Sequence, residues 1–193
     1  PIQWRAVESW EKAGDTRKMI DAIKTYRREY GSAENMDNVF EGMDKIATYH
    51  RKERGDRDEA TKWYKDMLKT YKERDVSKAD QANFYAAKAQ FQLAEYQFQD
   101  WDEIKFTGSL KRQERLLKKK KEGSRKVSKE FKKVFKYKSL EWTLAANFRI
   151  GSLFQQFANS LYNAEIPFDE GSEEYNIYIT ELENVAIPLE DEA

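Results

Sequence analysis

The chain is predicted to be all-α, an array of stacked antiparallel helix pairs. Three observations carry this. Apolar residues recur at helical spacing along most of its length, three prolines and eight glycines in 193 residues leave room for long helices, and a short pattern is written twice. Gly14-Asp15 followed by Tyr30 returns as Gly55-Asp56 followed by Tyr71. Between each Gly-Asp and its tyrosine, Met19, Ala22, Ile23 and Tyr26 correspond to Ala60, Trp63, Tyr64 and Met67. A repeat of this length built from helices marks an architecture in which each unit buries its apolar face against its neighbours.

The first helix is expected from Trp4 to Ala13, with Trp4, Val7 and Trp10 on one face. The second starts near Thr16, a candidate N-cap, and ends at Tyr30 before Gly31. Val39, Phe40, Met43, Ile46, Ala47 and His50 give the third, about Met36 to Arg54. Gly55 closes it, and Asp56 or Asp58 caps a fourth running to about Tyr71. The fifth, from roughly Ser77 to Gln99, carries one stripe of Ala82, Ala86, Ala89 and Leu93 and another of Phe84, Phe91 and Phe98. Two apolar faces imply burial on two sides.

Beyond Trp101 the pattern loosens. Phe106, Leu110 and Leu117 are thinly spaced on a lysine-rich helix, Gly123-Ser124 reads as a break, and Val127, Phe131, Val134 and Phe135 mark a further segment. A long apolar helix follows from about Leu140 to Tyr162. Ile166-Pro167-Phe168 reads as a loop, and a last helix spans Ser172 to Val185, before Pro188. Residues 1–101 form the regular part and 102–193 a less regular continuation. The opening Pro1-Ile2-Gln3-Trp4 and the uncapped end suggest a piece of a larger array.

Charged residues make up 36% of the chain and aromatic residues 14%, too polar for a membrane protein and too aromatic for a disordered one. Cysteine is absent, which excludes disulfides, thiolate metal sites and cysteine nucleophiles but fits cytosol and periplasm equally. Net charge is zero, yet fourteen Lys/Arg between Lys111 and Lys138 face only Glu114, Glu122 and Glu130. Ten acidic residues, and no basic ones, follow Arg149.

The string Gly55-Asp56-Arg57-Asp58-Glu59-Ala60-Thr61-Lys62-Trp63-Tyr64 resembles the tetratricopeptide repeat family, with a small residue about five positions after the turn glycine and an aromatic beyond it. The first copy departs from that pattern, with Met19 and Ile23 at the corresponding places. A register of 41 aligns the Gly-Asp pairs; one of 38 aligns Ala22-Tyr26 with Ala60-Tyr64. The resemblance implies a superhelical stack, an α-solenoid, with helices longer than the family's usual ones. Glu141-Trp142, Phe148-Arg149-Ile150-Gly151, Ile166-Pro167 and Ala186-Ile187-Pro188-Leu189-Glu190 are similar to the C-terminal parts of large tetratricopeptide proteins of predatory and gliding bacteria. That similarity implies a periplasmic or cell-envelope scaffold, some members being tied to gliding motility.

The expected function is therefore protein binding without catalysis, cofactor or metal. The family register puts Lys45, Tyr49 and Lys52 of the third helix and Lys88, Phe91 and Glu95 of the fifth in a groove. Such a groove suits a peptide with carboxylates and apolar anchors. An alternative is a nucleic-acid or anionic-surface binder working through Lys118, Lys119, Lys120, Lys121, Lys132 and Lys133. Against it, Phe131 and Phe135 sit at i, i+4 spacing and read as a buried face rather than as platforms for bases. The acidic segment Asp169-Glu170-Gly171-Ser172-Glu173-Glu174 lacks the alternating ligands of a calcium loop, and helix capping explains it. His50, the only histidine, lies on an apolar stripe, where a packing role suits it better than general-base chemistry.

Overall fold

In the computed structural model every regular element among the described residues (2–31, 36–74, 76 and 80–192) is helical. The helices are α1 (Ile2–Lys12), α2 (Thr16–Tyr30), α3 (Met36–Lys52), α4 (Arg57–Arg74), α5 (Asp80–Asp102), α6 (Leu110–Lys132), α7 (Leu140–Tyr162) and α8 (Glu173–Asp191). A short 3-10 helix, Lys133–Tyr137, follows α6. The expected start of the fifth helix at Ser77 lies outside the described residues. The chain divides into two compact units, one of residues 1–93 and 134–142 and one of residues 94–133 and 143–193. The boundary expected at Trp101 thus falls inside α5, and a segment beyond residue 101 belongs to the first unit.

In the first unit α1 packs on α2, α2 on α3 and α3 on α4. The two Gly-Asp pairs are equivalent. Gly14 and Gly55 both take positive φ, 70° and 61°, which only glycine adopts without strain. The aspartate after each then caps the next helix: Asp15 accepts from Lys18 N at 3.1 Å and Asp56 from Glu59 N at 2.9 Å. Thr16 is therefore the first helical residue and not the cap, and of Asp56 and Asp58 the former is the cap. Met19, Ile23, Tyr26, Val39, Phe40, Met43, Ile46, Ala60, Tyr64 and Met67 form the core. α2 and α3 meet closely at Gly42, where a Cβ would lie 2.6 Å from Ile23 Cγ2.

A second repeated device was not foreseen. Asn38 donates to Tyr26 OH at 3.2 Å, and Tyr71 donates to Asn83 Oδ1 at 2.5 Å. Both pairs are twelve residues apart, and the second lies 45 positions after the first. The turn repeats at 41 and this pair at 45; the difference of four is about one helical turn. Three of those four residues correspond to the greater length of α4, 18 residues against 15 in α2.

The two-sided burial of α5 is as expected. Within the first unit Ala82, Ala86 and Ala89 are fully buried, while Phe84 and Phe91 lean on Trp142, with ring centroids 5.9 and 5.2 Å away.

The second unit is built around Phe98, Trp101, Phe106, Val127, Phe131, Leu153, Phe157 and Leu161. Here α6 runs unbroken through Gly123-Ser124. Gly123 serves contact and not flexibility: a Cβ there would lie 2.6 Å from Trp101 Cδ1. The Trp101 indole crosses α6 at this point and donates to Lys120 O at 2.8 Å. Ser172 caps α8 by accepting from Tyr175 N at 3.1 Å, and Glu173 and Glu174 occupy its first turn, as the capping argument requires. α8 continues past the expected end at Val185 and through Pro188. Pro188 has no N–H to offer the carbonyl of Asn184, four residues back, so the helix runs through it with one backbone hydrogen bond fewer.

Candidate interaction surfaces

Lys45, Tyr49 and Lys88 share a depression of about 320 Å³ in the first unit, with Glu11, Asp44 and Thr48 among its other walls. The lysines are not free to meet a partner's carboxylate. Lys45 Nζ lies 2.6 Å from Glu11 and 3.2 Å from Glu41. Burial works against its charge, but the hydrogen bonds to Glu11 and Glu41 outweigh that and hold its pKa above the ordinary lysine value. Lys88 lies 2.6 Å from Asp44, with both side chains largely buried. Glu11, Asp44 and Glu53 outnumber Lys45 and Lys88 around the depression. The Tyr85 phenol registers this field: burial first, then the carboxylates of Glu41, Asp44, Asp37 and Glu11, push its pKa up to about 12. The expected carboxylate-seeking groove is corrected to one whose lysines are neutralised internally.

The other expected groove residues do not join it. Lys52 is exposed and lines no part of the depression. Phe91 is half-buried against Trp142. Glu95, in the second unit, accepts from Arg149 Nε and Nη2 at 2.8 and 2.6 Å, a two-pronged pair. Asp44 and Thr48 were missed, although both share α3 with Lys45, because a short polar side chain on a helix gives no sequence sign of facing a neighbour. His50 is half-buried, with its ring 5.4 Å from that of Tyr49. No group of three or more metal-ligating side chains occurs among the described residues.

The lysine run is divided by burial. Lys118, Lys119, Lys121 and Lys132 are exposed and make no ion pair among the described residues, while Lys133 pairs with Glu130 at 2.6 Å. Lys120 is fully buried, which removes it from any anionic surface. Its Nζ donates to Ile104 O at 2.8 Å and sits 4.5 Å from the Trp101 ring centroid. Burial pulls its pKa down to about 8, against a weaker opposing effect of Asp102. Phe131 and Tyr137 are buried, so neither is available to stack on a base.

A larger cavity in the second unit was not anticipated. It measures about 450 Å³ and lies between α6 and α8, with Leu110, Leu117, Phe168, Ile177, Leu182 and Val185 among its apolar walls. On its floor the buried Gln113 donates from Nε2 to Gly108 O (2.9 Å) and Glu165 O (2.6 Å), and its Oε1 accepts from Tyr178 OH. Glu114, Glu174 and Glu181 stand among the lining residues and are exposed. The signal was present as spacing: Leu110 and Leu117 are seven apart, and Ile177, Glu181 and Val185 follow at steps of four. Leu110 and Leu117 read alone are thinly spaced apolar positions on a lysine-rich helix.

No family model, curated protein or solved structure matches this chain. Among the described residues no helix is long and apolar enough to cross a membrane.

Proposed function

We propose that the chain is a section of a non-enzymatic protein-binding scaffold, an α-solenoid of tetratricopeptide type. The observation that carries this reading is the doubled turn-and-pair device: Gly14-Asp15 with Tyr26–Asn38, then Gly55-Asp56 with Tyr71–Asn83. Polar links between alternate helices support it: Glu11 of α1 to Lys45 of α3, Arg27 of α2 to Asp66 of α4, and Asp44 of α3 to Lys88 of α5. Such links between every second helix are what stacked helix pairs make. The sequence similarity noted above extends the proposal to a larger scaffold in a bacterial envelope or motility assembly. Its test is affinity capture from envelope and cytosolic fractions, washed at low and high salt, with nucleic acid identified as well as protein. A discrete protein retained at high salt supports the scaffold; retention of no protein from either fraction overturns it.

The second reading is an anionic-surface binder acting through residues 111–138, favoured by Lys118, Lys119, Lys121 and Lys132, which are exposed and make no ion pair among the described residues. Nucleic acid or lipid released as salt rises would support it. Reversing these four lysines should then abolish the binding.

A further inference from the structure

We infer that the apolar groove between α6 and α8 in the second unit is a docking site for a basic amphipathic helix of a partner protein. This rests on the protein-binding reading and names a site and a partner chemistry for it. The floor offers a ligand nothing polar, because Gln113 has its amide and carbonyl already engaged by Gly108, Glu165 and Tyr178. Recognition there is by apolar contact. The apolar surface also extends past the cavity itself, for Leu110 is 41% and Ile177 56% exposed at its lips. An extended occupant covers such lips; a compact ligand leaves them wet.

Charge selects which extended occupant fits. Glu114 on α6 and Glu174 and Glu181 on α8 make no ion pair among the described residues, and the cavity has no lysine or arginine in its lining. Glu174 and Glu181 are two turns apart on one helix, roughly 10.5 Å along the axis. A partner helix laid along α8, with apolar anchors at i, i+3, i+4 and i+7 and Lys or Arg two turns apart, meets both lips and both carboxylates. An acidic helix of the same apolar pattern would face three like charges and be rejected.

The test uses the whole chain and three capped synthetic peptides of about 18 residues, long enough to hold helix in water. One carries leucines at the anchor positions with lysines two turns apart; one replaces those lysines by glutamates; one replaces the leucines by serines. Titration calorimetry is expected to show binding of the leucine–lysine peptide, at least tenfold weaker binding of the leucine–glutamate peptide, and none of the serine peptide. Ile177→Asp, at an exposed position, should weaken the first peptide tenfold or more. The double variant Glu174→Lys, Glu181→Lys should invert the preference between the first two peptides. Circular dichroism establishes that both variants keep their helix content. Equal binding of the leucine–lysine and serine peptides, or indifference to Ile177→Asp, overturns the assignment. So does sedimentation showing a dimer that Ile177→Asp dissociates, since a second copy would then fill the groove. In the capture experiment, a protein retained equally by wild type and Ile177→Asp sinks this groove but leaves the scaffold reading standing.

Discussion

Gly123→Ala sets helix propensity against packing, and the structure says which wins. In an exposed helix interior this change stabilises by about 0.5–1 kcal/mol. At this position the new methyl would lie 2.6 Å from Trp101 Cδ1 and 3.4 Å from Nε1. Carbon atoms in contact settle at roughly 3.5–4.0 Å, so the indole must retreat by about 1 Å. It has little room, with Phe98 and Phe157 rings at 5.6 and 6.1 Å and its N–H fixed on Lys120 O. Overpacking of this kind costs about 1–3 kcal/mol. Stretching the indole bond to breaking costs about 1–3 kcal/mol more, because the donor is buried. Set against the propensity gain, the net expectation is destabilisation by about 1–5 kcal/mol, measured by urea unfolding followed by circular dichroism. In a Trp101→Leu background the obstacle is gone, and the same change should stabilise by up to about 1 kcal/mol. A Gly123→Ala protein as stable as wild type, or a penalty of equal size in both backgrounds, would refute the reasoning.

Three further outcomes are expected. Lys120 holds its proton less tightly when folded, with a pKa of about 8 against the ordinary 10.5. Between those values the unfolded chain keeps a proton that the folded chain has lost, so this lysine makes stability rise with pH across that window, by roughly 2–3 kcal/mol. Unfolding free energies measured from pH 8 to 10 should show the rise in wild type and a flatter profile in Lys120→Met. Lys88→Met leaves the buried Asp44 carboxylate without its cation and should cost about 3–5 kcal/mol in urea unfolding, whereas Lys88→Met with Asp44→Leu should recover most of that. Asp15→Ala and Asp56→Ala each remove the same kind of cap, so each should lower the urea-unfolding midpoint, and by similar amounts.

Helix identity was legible because apolar spacing and turn glycines are local signals. Gly14, Gly31 and Gly55 marked boundaries correctly since a positive φ or a helix end acts on neighbours in sequence. Gly123 misled for the same reason. Its cause is an indole 22 residues away, and a glycine kept for close approach looks like one kept for a bend. The tyrosine–asparagine pair was invisible because Asn38 and Asn83 lie near helix starts, where asparagine needs no distant partner to explain it. Of the expected groove residues, Lys45, Tyr49 and Lys88 line one depression. Their charges were misjudged, since pairing with Glu11, Glu41 and Asp44 depends on three other helix positions at once. The apolar groove escaped notice because two incomplete stripes, one on α6 and one on α8, make a cavity only when set face to face.

Four consecutive lysines, chemically identical and tethered to one helix, differ in a single respect: one of them faces inward. An amine-acylating reagent should therefore mark Lys118, Lys119 and Lys121 at once and reach Lys120 only when the Trp101 seat opens. The three neighbours supply an internal standard for reagent strength, temperature and helix fraying. The ratio of marks within one short peptide then becomes a clock for the opening of that seat, read by mass spectrometry without any added label.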